Sequence, residues 1–495
     1  MTDRCATRRS PSRRRNSRPR LPARATSTRH GSSSRPRIER NTFAPRAQAG
    51  AVTCQRRTFS TDRPIMMNKC IARYVGHPGA PWLDAYVIVV AAASIMGFLS
   101  LRGVTNASLL LLLAPTLAAA GSIRRDAREC GSNSAVWWMC IALALPIVSV
   151  LIGQALRGEL IAKAYDAPSR ILLSIAVLFY FRYKRIDFAR LIGVVAPVAL
   201  LILVVQVKLD PHAMAIWGGR FATYFVDTDM FGVYALILAM FSLFGIEPGQ
   251  SRPARALSIV GIVAGLYLVV GSQTRTAYLL IPIAAALWLV LKRPSISAKH
   301  FVALAALGIA TIAIVLSLHD DTSTRVASIY HELDMWLNGS NRDTSGGLRL
   351  TMWHMAWELF LQSPWHGYGD TGFRAYLGEP GITAFASQIA RQIIFAGPHN
   401  ELLANMLRSG IAGAVAVVAL FAVPIATFWR ARRYSPRARI AADMGLSFTI
   451  CLMLAGIAFE MFTLKYTATF NGLLIAGLAG QVLAERRQSK GPAGQ

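Results

Sequence analysis

From residue 85 onward, long apolar stretches alternate with short polar loops. The stretches fall near 85–101, 107–121, 135–153, 167–181, 190–207, 229–246, 256–271, 276–291, 301–318, 402–428, 441–460 and 466–484. A helix of about 20 apolar residues crosses a hydrocarbon layer roughly 30 Å thick, so the shorter stretches must extend a little at each end. Their interiors hold almost no ionisable residues, as expected where desolvated charge is costly. The pattern predicts an all-α polytopic membrane protein of about twelve transmembrane helices, with one large hydrophilic loop at 319–400.

The loops carry an orientation. One alternate set (122–134, 182–190, 247–255, 292–300, 429–439 and the tail 485–490) holds 20 Lys and Arg, and the opposite set holds 8. The positive-inside rule then puts both termini in the cytoplasm and 319–400 outside. Long loops are exempt from that count, so the five arginines of 319–400 do not disturb it. The expected organisation is an extension at 1–66, nine spans over 85–318, the external loop, and three spans over 401–485.

Composition agrees with the pattern. Of 495 residues, 54% are hydrophobic and 16% charged, below the roughly 25% charge usual in soluble proteins. The net charge of +28 is concentrated: residues 1–65 hold 17 Arg, no Lys and 3 acids, a net +14. This segment is rich in Ser, Thr and Pro and lacks apolar periodicity, so it cannot bury a core. A basic nucleic-acid arm and a transit-like peptide both fit such a composition. The absence of lysine beside so many arginines favours a third reading, GC-rich DNA upstream of a true start at Met66 or Met67. Six cysteines at 5, 54, 70, 130, 140 and 451 show no paired spacing, so no disulfide framework or zinc knuckle is implied.

The external loop has internal order. Trp353, Ala356, Trp357 and Phe360 recur at helical spacing, and Ser363-Pro364 stops the pattern. Such a stripe suits a helix lying on the membrane interface or a small loop subdomain packed on itself. Gly367, Gly369 and Gly372 mark a turn-rich segment with no preceding strand, which is unlike a phosphate loop.

Candidate chemistry gathers on the same side. Arg220 lies in Trp217-Gly-Gly-Arg-Phe221, Arg275 at the junction of the seventh and eighth spans, Arg349 in the loop helix and His399 where the loop re-enters the membrane. One interfacial arginine can be a snorkelling anchor; several guanidinium groups with a histidine and aromatics on one face suggest an anion site. The pair Asp227 and Asp229 resembles a metal-binding DxD, but that signal normally belongs to a soluble sugar-nucleotide fold. Five histidines (His319, His331, His354, His366 and His399) fall in the loop without a short metal-ligand spacing. No metal site is therefore expected.

In order along the chain stand Gln273-Thr-Arg-Thr-Ala277, Leu348-Arg-x-x-x-Trp353, Ser363-Pro-Trp-His-Gly-Tyr-Gly369, His399-Asn-x-x-Leu403 and Gly410-Ile-Ala-Gly413. Together these resemble the O-antigen ligase and polymerase superfamily over roughly residues 85–485. The resemblance implies an enzyme of lipopolysaccharide biosynthesis in the bacterial inner membrane, moving a glycan from undecaprenyl diphosphate to an acceptor at the periplasmic face without a metal. It implies that Arg275 and Arg349 hold the diphosphate, with Arg220 and Asn400 as further substrate-binding residues, and that His399 acts on the acceptor hydroxyl. Two departures stand out. Arg408 occupies a position that is acidic in many relatives, which leaves the orientation of His399 open, and Thr274 replaces the usual serine.

The implied partners are an undecaprenyl-diphosphate-linked polysaccharide, lipid A–core or another glycan acceptor, and membrane lipids. No cofactor and no nucleic acid are implied. A repeat-unit polymerase or a protein O-oligosaccharyltransferase would use the same donor with another acceptor. The roughly 80-residue loop, without a second extramembrane domain, favours ligase or polymerase. A polysaccharide transporter fits less well, because transporters place charged or broken helices near the midplane.

Overall fold

The computed structural model describes residues 74–489 apart from 78–79, 130–133, 248 and 293–329. The Arg-rich stretch and the expected span 301–318 lie outside the described residues. The rest is helical: α1 (Pro81–Gly97), α2 (Val104–Ala118), α3 (Ala120–Glu129), α4 (Ser134–Arg157), α5 (Asp166–Lys184), α6 (Phe188–Leu209), α7 (Thr228–Phe244), α8 (Arg252–Ser272), α9 (Arg275–Lys292), α10 (Ser345–Gln362), α11 (Glu401–Ala431), α12 (Pro436–Ala455) and α13 (Lys465–Ser489). No strand forms among the described residues beyond an isolated bridge between Val75 and Ile186. The protein is an all-α, multi-pass membrane protein.

Eleven of the twelve expected spans coincide with these helices. Among the described residues eight helices are long and apolar enough to cross a membrane, while α1 and α7 are apolar but only 17 residues long. The expected span 107–121 is displaced toward the N-terminus, as α2 ends at Ala118 and the chain bends by 67° between α2 and α3. Pro115 lies in the last turn of α2 and cannot bond the carbonyl four residues back. That carbonyl, Leu111 O, accepts from Tyr86 Oη at 3.1 Å instead. The expected span 441–460 is also displaced: α12 ends at Ala455, so residues 456–464 form a loop.

The core is built around α13. Its membrane-length window is buried throughout, as expected for a helix without a polar face. Phe98 stacks on Phe470 at 3.7 Å. Tyr234 Oη donates to Asn471 Oδ1 at 3.0 Å, and Asn471 Nδ2 donates to Met461 O at 2.9 Å. Gly477 and Gly480 let α13 approach α5 closely, since a Cβ on Gly480 would sit 2.8 Å from Leu178 O.

Two features order the loop end, where α8 meets α9 and α11 begins. The first is a break inside α11, at Ser409 (φ −139°) and Gly410 (φ 62°, ψ −144°). The carbonyls it frees are taken by the Ser363–Gly369 segment: Tyr368 N donates to Leu407 O at 2.7 Å and Gly369 N to Arg408 O at 3.0 Å. In return Ile411 N donates to Pro364 O at 2.7 Å. The second is a separate apolar cluster, in which Met352, Met355 and Leu359 of α10 pack with Phe373, Ile382 and Ile394. The loop thus packs on itself, and the methionine face of α10 is buried while Trp357 stays exposed. Of the stripe expected from sequence, Ala356 joins this cluster and Phe360 is buried, whereas Trp357 lies outside the packing face.

Candidate functional site

The turn joining α8 to α9 organises one half of the site. Gln273 ends α8 in the left-handed region (φ 54°). Thr274 Oγ1 then donates to Thr228 O at 2.7 Å, tying this turn to the start of α7. The threonine found in place of serine makes a bond that any hydroxyl could make. Arg220 reaches into the same region, with Nε donating to Ser272 O at 2.8 Å and a terminal nitrogen 3.2 Å from Asp229 Oδ1. Asp227 caps α7, accepting from the backbone N–H groups of Asp229 and Met230. Burial pushes the Asp227 carboxyl above the usual range, with the Met230 N–H opposing that rise. Both acids of the DxD-like pair therefore have structural partners.

Arg275 opens α9 and lies 3.5 Å from Glu332 Oε1. Glu332 Oε2 accepts from Gly346 N at 2.6 Å, at the N-terminus of α10, the helix that carries Arg349. One carboxylate thus links two of the candidate arginines. Sequence reasoning did not single out Glu332; as one of eight acids in the loop, it carried no distinguishing signal. Among the described residues no carboxylate pairs with Arg349, whose guanidinium lies 5.5 Å from the ring centroid of Phe459.

His399 enters from the α11 side in the segment Gly397-Pro-His-Asn. It sits in the left-handed region (φ 50°), which non-glycine residues adopt uncommonly and histidine more readily than most. Asn400, counted from sequence as substrate-binding, caps α11: its Oδ1 accepts from Leu403 N and its Nδ2 donates to Ile457 O, both at 3.1 Å. Both ends of that carboxamide fix the turn displaying His399. The imidazole lies within electrostatic range of Arg349, Asp229 and Asp227. Burial, then the Arg349 charge, hold its pKa below the ordinary value, with the two aspartates opposing.

The structure therefore groups His399, Arg349 and the Arg220–Asp229 pair, places Arg275 beside Glu332, and gives Asn400 a positioning role. Arg408, flagged by its departure from the family pattern, pairs with Asp370 and donates to Asn405 Oδ1 at 3.1 Å. Glu460 was hidden because sequence patterning placed it inside a span; an isolated carboxylate in an uncharged run was the available signal.

In comparison with known proteins, residues 260–418 match the model of the family described as O-antigen ligase. That interval holds Arg275, Arg349 and His399. A Haemophilus influenzae protein, described as uncharacterized, is 23% identical over 277 residues, covering 54% of this chain and 66% of the relative. The chain spans just under two thirds of that relative's length.

Proposed function

We propose that this chain, a member of the O-antigen ligase superfamily, joins an undecaprenyl-diphosphate-linked polysaccharide to lipid A–core at the periplasmic face of the bacterial inner membrane. The observation that carries this reading is the half-buried His399 within electrostatic range of Arg349, a guanidinium lacking a carboxylate partner among the described residues.

In the reaction the bond between C1 of the donor sugar and the diphosphate oxygen breaks, and its electron pair leaves with the diphosphate. Arg349 and Arg275 hold the phosphate oxygens and offset the charge that grows there, a task suited to the bidentate fork of arginine. Arg220, held by Ser272 O and Asp229, extends the same positive face. His399 takes the proton of the acceptor hydroxyl as that oxygen bonds to C1 from the opposite side. The product is inverted at C1, and the transferred proton resides on the imidazole until released to solvent. The guanidinium groups supply the positive charge that metal-dependent transferases draw from a cation, so the mechanism is metal-independent.

A polymerase would run the same chemistry on a growing glycan acceptor. A lipopolysaccharide gel of a deletion strain with complementation separates the two. Loss of long O-antigen with accumulation of lipid-linked polymer supports the ligase; single-repeat products support the polymerase. Normal long O-antigen in the deletion strain contradicts both.

A further inference from the structure

Beside the arginine and histidine cluster lies a cavity of about 380 Å³, apart from the diphosphate-binding arginines. Its size is within the roughly 300–1,000 Å³ common for small-molecule sites. The floor is apolar, from Pro146 of α4, Ile171 of α5 and Ala416, Val417 and Leu420 of α11. The walls come from the 369–374 segment, the Phe395–Pro398 turn, the start of α11 and the α12–α13 loop.

The charges around it balance. Four basic residues (Lys163, Arg374, Arg408, Lys465) face four acids (Asp166, Asp370, Glu401, Glu460). Most are mutually engaged: Lys465 pairs with Asp166 and Arg408 with Asp370, and Arg374 donates to Phe395 O at 2.6 Å. Glu401 is also satisfied, its oxygens accepting from Asn405 Nδ2 at 2.8 Å and Phe462 N at 3.0 Å. A site so neutralised does not suit a diphosphate. It suits an uncharged ligand with many hydroxyls, which can both donate and accept, and Phe373, Phe395 and Phe462 line it with apolar surface.

One group is left over. Glu460 Oε2 accepts from Thr463 Oγ1 at 2.8 Å, but Oε1 is buried with no hydrogen-bond partner among the described residues. Such an atom in a buried site is costly and calls for an explanation. The same carboxyl lies against the turn that carries His399: a Cβ on Gly397 would sit 1.9 Å from Oε1. The backbone N–H of His399, on the same turn, is directed at the Glu460 carboxylate.

We propose that this cavity is the acceptor-saccharide subsite, in which the Glu460 carboxyl receives a sugar hydroxyl and presents the neighbouring hydroxyl to His399. The inference rests on the transferase reading and adds where the acceptor sugar sits. Glu460 is a substrate-positioning residue here, distinct from the diphosphate clamp. Burial, with Glu401 adding and Arg408 opposing, raises its pKa to about 7. Near neutrality it can therefore accept or donate a hydrogen bond.

Saturation-transfer NMR on the full chain in a non-sugar detergent (lauryldimethylamine oxide) tests this. The probes are methyl β-D-glucopyranoside, methyl α-D-mannopyranoside and N-acetyl-D-glucosamine. The expected result is saturation transfer to at least one of them. It should fall about fivefold or more in Glu460→Gln and in Ala164→Trp, which fills the cavity wall without touching the carboxyl, and stay unchanged in Arg349→Ala. No transfer to any of the three sugars, or an undiminished signal in either cavity variant, overturns the proposal. Sugar binding that depends on Glu460 in a protein whose Arg349→Ala variant still transfers glycan would overturn the diphosphate clamp and leave the cavity standing.

Discussion

Burial and the neighbouring Arg349 guanidinium hold the His399 imidazole below its ordinary pKa, which is about 6.5. A base of lowered pKa stays unprotonated as pH falls through 6.5, so the acid limb of kcat should lie below that value. In Arg349→Gln one lowering influence is gone while Asp227 and Asp229 still raise the pKa, so the limb should move upward; an unchanged limb would contradict this coupling. The same substitution tests the clamp. Removing one preorganised donor to a developing anion costs about 10²–10³ in kcat. Arg349→Ala should lose at least that, and Arg349→Lys should recover little, because an ammonium lacks the fork. Glu332 deserves a parallel test, since it links Arg275 to the start of α10. Glu332→Gln should lower transfer roughly tenfold, equivalent to about 1.4 kcal/mol, with donor KM rising more than kcat falls. These residue-level links were only half legible. Arg275, Arg349 and His399 stood out as titratable groups on one face, whereas Glu332 and Glu460 act through pairings that only tertiary contacts create.

Among the elements, α11 departs furthest from what periodicity can show. Its apolar pattern over 402–428 is interrupted by Asn405 and Arg408-Ser409, and the helix breaks at Ser409 and Gly410. Nothing in a hydropathy profile distinguishes a straight span from one whose freed carbonyls are taken by a distant loop. The glycines were the visible trace. Gly367 and Gly410 both have positive φ, and a Cβ on Gly410 would sit 2.3 Å from Pro364 O. Gly410→Ala should therefore lower thermal stability in detergent by about 1–3 kcal/mol for the backbone strain alone, and detach the 363–369 segment from α11. A melting temperature equal to wild type would show that the break is not needed. Element existence was readable from sequence because about 20 apolar residues in a row have few alternatives. Element ends were not: α2 ends at Ala118 just after Pro115, and α12 ends at Ala455 before the 456–464 loop, so both expected spans are displaced.

For the whole molecule, the alternation of basic and non-basic loops predicts that the turn carrying His399 faces the periplasm. On a background with native cysteines replaced by serine, Glu379→Cys should react with an impermeant maleimide in intact spheroplasts. Arg433→Cys, at the opposite end of α11, should react only after lysis; the reverse labelling would invert the topology. What the sequence could not convey at this scale is the gathering of residues from α7, α8, α9, α10 and the α11 turn at one end of the helices, since it depends on packing around the buried α13. The central claim is that His399 removes the acceptor proton while arginines, and no metal, offset the leaving diphosphate. It is tested most directly on one purified preparation of His399→Ala, measuring turnover, donor binding and melting temperature with and without EDTA. Turnover should fall by about 10²–10⁴ while donor binding and melting temperature hold, and EDTA should leave wild-type turnover unchanged. Retained turnover in the variant, or inhibition of the wild type by EDTA, would contradict it.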